Sequence, residues 1–146
     1  MTKKELFKEI NALCDYMVEK YRINSGGCCY VAAVLAEYLT KCDIDYQVVY
    51  YNSWWDGCHY YIKVSDRNLN RDGCNWRYTE ILAHEDYREI YQWYYDGDWN
   101  NRYDKRYNGI VKISLKRIFD KYRNSKGVKN GQKKRNREIK QMLSGQ

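Results

Sequence analysis

Apolar residues recur at helical spacing from the start of the chain: Leu6, Phe7, Ile10, Leu13, Cys14, Met17, Val18 and Tyr21. Thr2-x-x-Glu5 precedes them as a capping box, so the pattern predicts an amphipathic helix over 3–22. Ile23 to Gly27 reads as a loop. Over 28–40 the segment is apolar nearly all round, which predicts a buried second helix; Ala32, Ala33 and Ala36 let other elements approach it closely. Strand-forming residues follow over 45–51 and again over 58–64, separated by a turn over 52–57. A second turn over 65–68 leads into a third strand that begins with 69–72, giving an antiparallel meander. Residues 79–95 read as a helix starting near Thr79, 96–108 as a long loop and 110–113 as a short strand. Ser114 is placed to cap a helix over 115–123 with Leu115, Ile118, Phe119 and Tyr122 on one face. The expected fold is α+β: a buried helix packed on a small antiparallel β-sheet, with an N-terminal and a C-terminal helix around it.

Composition changes this picture in two places. At 146 residues the chain is long enough for one core but not two. Its net charge of +7 is concentrated at one end: residues 121–146 hold nine Lys and Arg against Glu138, and the rest of the chain is close to neutral. The expected division is a domain over 1–124 and a basic, flexible tail over 125–146, with a short helix near 135–143. Such a tail attracts nucleic acid or an acidic partner, or is simply solvated. The aromatic content is dominated by 17 Tyr and 5 Trp, whose polar ends suit half-exposed positions. The complete lack of Pro beside many Lys, Asn and Tyr fits an AT-rich coding source, such as a low-GC bacterium or its phage.

The first residues carry no apolar run of the kind a signal peptide needs, and no stretch reaches the length of a membrane-spanning helix. The expectation is therefore a cytoplasmic chain, without a membrane partner, whose six cysteines stay reduced. Cys14 and Cys42 read as small hydrophobes. No Cys-x-x-Cys pair is present, and His84-Glu85 lacks a second His at zinc-protease spacing, so neither points to a metal.

One segment carries candidate chemistry. Ser25-Gly26-Gly27-Cys28-Cys29 puts a thiol at the start of the buried helix, where the backbone N–H groups and the helix dipole favour a thiolate. Adjacent helical residues point about 100° apart, so Cys28 and Cys29 cannot share one role; Cys28, nearer the glycines, is the candidate nucleophile. A nucleophilic cysteine needs a base and a group that orients the base. His59 opens the second strand. If the following turn centres on Asp66-Arg67, Val64 pairs with Leu69, Lys63 with Asn70 and Tyr61 with Asp72. Asn70 and Asp72 then share a face with His59, Tyr61 and Lys63, able to hold one imidazole nitrogen. Taken singly, each of these residues has an ordinary structural reading: core thiol, strand histidine, turn amide.

In order, Gly-Gly-Cys opening a buried helix, a strand opening with His and a short hairpin to Leu69-Asn70-Arg71-Asp72-Gly73 resemble the papain-like and transglutaminase-like cysteine enzymes, in their small bacterial or phage form. The likeness covers residues 20–75. It implies Cys28 as nucleophile, His59 as base, Asn70 or alternatively Asp72 as the orienting residue, and no cofactor. Papain-like enzymes carry a Gln ahead of the cysteine; the nearest amide here is Asn24, and backbone N–H groups at the helix start are the other source of an oxyanion hole. The implied activity is thiol-dependent acyl transfer on a peptide or amide substrate, with peptidase, deamidase and transglutaminase outcomes open. Trp54 and Trp55, on the turn before His59, read as a wall of the substrate cleft or as a packed hairpin tip. The aromatic cluster over 87–103 reads as the opposite wall or as a cover for the sheet. The alternative function is a non-catalytic interaction protein of phage or mobile-element origin that binds and inhibits a host protein through its Tyr- and Trp-rich surface.

Overall fold

In the computed structural model, residues 1–53, 57–71, 80–82, 86–96 and 105–144 are described. Helix α1 spans Lys3–Tyr21 and helix α2 Cys28–Lys41; strands β1 (Gln47–Ser53), β2 (Gly57–Val64) and β3 (Arg67–Leu69) follow, then β4 (Glu80–Leu82) and helices α3 (Tyr87–Asp96) and α4 (Lys105–Ser144). The fold is α+β, with one four-stranded sheet in the order β3-β2-β1-β4 and antiparallel neighbours throughout.

The first two helices follow the hydrophobic pattern closely. Thr2 caps α1 by accepting the Glu5 N–H on its hydroxyl at 3.2 Å, and Leu6, Phe7, Ile10, Cys14 and Met17 form the buried stripe. Removing that cap in Thr2→Ala is expected to cost about 1 kcal/mol, read as a lower urea midpoint with an unchanged slope. A midpoint equal to wild type would mean that the cap carries no stability. The chain leaves α1 through Arg22 in the left-handed conformation and turns at Gly26 (φ 97°), a backbone angle that glycine adopts without steric cost. Helix α2 is buried at Cys28 through Ala36 and at Tyr38 and Leu39, and packs on β2, α3 and α4.

The β2–β3 hairpin is tighter than the sequence suggests. Val64 pairs with Arg67, Lys63 with Asn68 and Ile62 with Leu69, around a two-residue turn at Ser65-Asp66 in which Ser65 takes φ 56°. The register is thus shifted by two residues from that expected. A two-residue shift preserves which face each side chain takes, but β3 ends at Leu69, and Asn70 leaves the ladder with φ 61°.

Three further elements differ from expectation. Glu80–Leu82 is a strand, not the start of a helix: it pairs with β1, Val49 opposite Leu82 and Tyr51 opposite Glu80. Helix α3 starts only after Asp86, whose carboxylate accepts the Arg88 N–H at 2.8 Å as an N-cap. Residues 110–113, expected as a strand, lie inside α4. Val111, Leu115, Phe119 and Tyr122 are all buried, and this helical period outweighs the local β-propensity of Ile-Val-Lys-Ile. The same helix includes the expected 115–123 segment. It also continues through 125–144, where the sequence reads as flexible with a short helix. Lys121 Nζ lies 3.1 Å from Glu9 Oε1 and the Met1 amino group donates to Ser125 Oγ at 2.8 Å, tying α4 to the first residues of the chain.

Candidate functional site

Cys28 is the first residue of α2, and Gly27 before it offers no side chain to cap the helix. The first intrahelical bond runs from Val31 N to Gly27 O at 3.1 Å, so the earlier N–H groups have no acceptor within the helix. The positive end of the dipole therefore lies at the Cys28 thiol. Cys28 itself is 1% exposed. Its neighbour is chemically different. Cys29 is fully buried and its thiol donates to the Ile90 carbonyl at 3.6 Å; burial first, then the neighbouring Cys28, pushes its pKa up from 9.0 to about 12. Cys29 is therefore a packed core thiol. None of Cys14, Cys28, Cys29 and Cys42 is in a disulfide.

The shift of Cys29 has a measurable consequence. Above pH 9 the unfolded chain gives up this proton while the folded chain retains it up to about 12. The stabilisation is complete below pH 9 and is lost as pH rises, by about 1.4 kcal/mol per pH unit for one such proton. Burial also pushes the Tyr30 and Tyr91 phenols up, which adds to the loss. Urea unfolding between pH 9 and 12 is expected to show a shallower decline for Cys29→Ala than for wild type. Parallel curves would exclude Cys29 as a contributor.

His59 sits in β2 opposite Tyr51 and is 8% exposed. Its Nε2 lies 2.6 Å from the carbonyl oxygen of Asn70. A carbonyl can only accept, so Nε2 carries the hydrogen and, in the neutral ring, the lone pair is on Nδ1. The imidazole also stacks on Tyr61, with centroids 6.3 Å apart and 22° between the planes, and the Arg71 guanidinium lies over the other ring, 5.4 Å from the Tyr61 centroid. The two rings share a face of β2, as the i, i+2 spacing requires.

Asn70 meets His59 as the sequence suggests, but through its main chain. Its side chain is engaged elsewhere: Asn70 Nδ2 donates to Asn24 Oδ1 at 3.0 Å, and Asn24 Nδ2 donates back to Asn70 Oδ1 at 3.2 Å. Asn24 therefore holds Asn70, and it stands four residues before Cys28. Asn11 completes the cluster from α1, accepting the Asn70 N–H at 3.0 Å and donating to the Asn68 carbonyl at 3.0 Å. Sequence reasoning passed over Asn11, although a signal was there. Phe7, Asn11, Cys14 and Val18 form one helical row, and Asn11 interrupts it with an amide that needs a partner.

Of the other candidates, Asp72, Trp54 and Trp55 lie outside the described residues. Cys28 and His59 belong to elements that pack together, α2 and β2. Alternation along β2 nevertheless puts Tyr60, Ile62 and Val64 into the core shared with α2, and His59, Tyr61 and Lys63 on the other face. The structural link between the two candidates runs round the edge of the sheet, through Asn70 and Asn24. The aromatic cluster over 87–103 is described as far as residue 96, and that part is divided in role. Ile90 and Tyr94 of α3 are buried, whereas Trp93 and Tyr95 are 51% and 56% exposed. Tyr94 and Asn108 exchange hydrogen bonds at 3.1 and 3.3 Å, and Tyr30 donates to the Asn108 carbonyl at 3.2 Å, joining α2, α3 and α4.

Among the described residues, no helix is long and apolar enough to cross a membrane, and no group of three His, Cys, Asp or Glu side chains is placed to hold a metal ion. Comparison with protein-family models, with curated proteins and with solved structures finds no match to this chain.

Proposed function

We propose that this chain is a thiol-dependent acyl-transfer enzyme of the papain-like or transglutaminase-like kind, acting on a peptide or amide. In this reading Cys28 attacks the carbonyl, a base takes the thiol proton and returns it to the leaving group, and water or an amine releases the acyl group; His59, the candidate base, lies on the face of β2 opposite the core and has to reach Cys28 round the sheet edge. The observation that carries the reading is the position of Asn70. Its carbonyl holds His59 Nε2 at 2.6 Å, and its side chain is paired with Asn24, four residues ahead of Cys28. The base and the loop that delivers the nucleophile thus share one support. N–H groups at the start of α2 supply the positive potential that an oxyanion and a thiolate both require.

A second reading is a non-catalytic interaction protein on the same scaffold. It is favoured by the burial of Cys28 and by the alternation of β2, which turns His59 to the face away from the core, and exposed Trp93 and Tyr95 suit an interface. Iodoacetamide labelling across pH separates the two. The enzyme reading expects one thiol that alkylates rapidly, with an apparent pKa below that of a free thiol. Uniformly slow labelling of all six thiols would leave the interaction reading.

A further inference from the structure

Three asparagines from three separate segments meet at Asn70. Asn11 comes from α1, Asn24 from the loop before α2, and Asn70 from the end of β3. Asn70 is held at its N–H by Asn11, and at both ends of its side-chain amide by Asn24. It is 3% exposed, and its φ of 61° lies in the left-handed region that Asn tolerates better than most residues. With the N–H and the side chain both fixed, the Cα from which its carbonyl projects is held in place, and that carbonyl meets His59 Nε2.

We infer that Asn11 and Asn24 are positioning residues: they clamp Asn70 so that its main-chain carbonyl locks His59 as the Nε2–H tautomer and leaves Nδ1 as the basic nitrogen. The catalytic consequence rests on the acyl-transfer reading, whereas the tautomer is a property of the folded chain alone. The arrangement differs chemically from a carboxylate or side-chain amide facing the ring. A peptide carbonyl has no proton to gain in the ordinary pH range and cannot rotate independently of the backbone, so it specifies one tautomer wherever the fold persists. A side-chain amide can flip and present its NH2 group instead; here the flip-prone amides are paired with one another, one step away from the ring.

The chain has only two histidines, so long-range proton–nitrogen NMR of the ring nitrogens resolves both, and His84→Gln assigns the His59 signals. At a pH where the ring is neutral, wild type is expected to show the pattern of protonation at Nε2. Asn24→Ala and Asn11→Ala are expected to give a mixture of both tautomers and to slow Cys28 alkylation about tenfold. An Nδ1–H pattern in wild type, or an unmixed Nε2–H pattern retained in both variants, overturns the clamp. The wild-type spectrum decides the tautomer even where a variant fails to fold. An Nε2–H ring with mixing in the variants, beside a slow Cys28, upholds the clamp and removes the acyl-transfer reading.

Discussion

Replacing Cys28 with Ala is expected to abolish the fast phase of iodoacetamide labelling and to lower acyl-transfer turnover by about a thousandfold or more. Cys29→Ala is expected to leave the fast phase in place. Two adjacent cysteines on one helix make this a stringent contrast. Composition, solvent and chain position are nearly the same, and what differs is the local field and packing. Cys28 is the first residue of α2, at the positive end of the helix, whereas Cys29 donates to the Ile90 carbonyl and is held protonated up to about 12. The loss in Cys28→Ala is not to be confused with unfolding. One buried sulfur is a small volume, with a cost of about 1 kcal/mol, and a urea curve run in parallel shows whether the chain remains folded. A fast phase that survives in Cys28→Ala would locate the reactive thiol elsewhere and dismiss the proposed nucleophile.

The largest expected loss of stability is at Phe119. This ring is fully buried and packs against Tyr38 of α2 with centroids 5.3 Å apart. Phe119→Ala is expected to cost about 3–5 kcal/mol, a large part of the ~5–15 kcal/mol that holds a typical domain together. The same experiment tests the assignment of 110–113. A strand would place Val111 and Ile113 on one face, with similar costs for truncation. The helix buries Val111 and leaves Ile113 55% exposed. Val111→Ala should therefore lower the urea midpoint clearly, and Ile113→Ala should change stability by no more than about 0.5 kcal/mol. Equal losses at 111 and 113, or a Phe119→Ala midpoint like wild type, would show that α4 does not dock on α2 in this way.

Where the sequence was readable, one physical signal dominated. The capping box and apolar row of α1, and the all-apolar run of α2, are long and periodic, and their ends lie within one residue of expectation. Short segments were ambiguous because their fate is decided by distant partners. Glu80-Ile81-Leu82 has three residues, too few to show a period, and it becomes a strand because β1 has an edge to pair with. Ile110–Ile113 looks β-prone in isolation and is helical because its period continues through Leu115, Phe119 and Tyr122. Of the candidate site, the sequence indicated that Asn70 and His59 lie near one another, and not which of their atoms meet. Asn70 lies beside His59, but outside the ladder whose parity was to place it there. Nothing in the order of residues indicated that Asn70 would turn left-handed after Leu69 and present a carbonyl. That turn depends on Asn11 and Asn24, both far away in sequence. Nor did side-chain parity in β2 disclose that α2 packs on the face opposite His59.

The sheet also has a bearing on self-association. Among the described residues its two long strands, of seven and eight residues, are central, and the flanking β3 and β4 have three residues each. A long, straight outer strand is a template on which a second chain can add, the first step of ordered aggregation. Three residues present only a short row of N–H and C=O groups, and on β3 the Asn68 carbonyl already accepts from Asn11. The chain thus limits growth of its sheet by brevity at the borders. This bears on a sequence so rich in Tyr and Trp, whose flat side chains would otherwise favour stacking between copies.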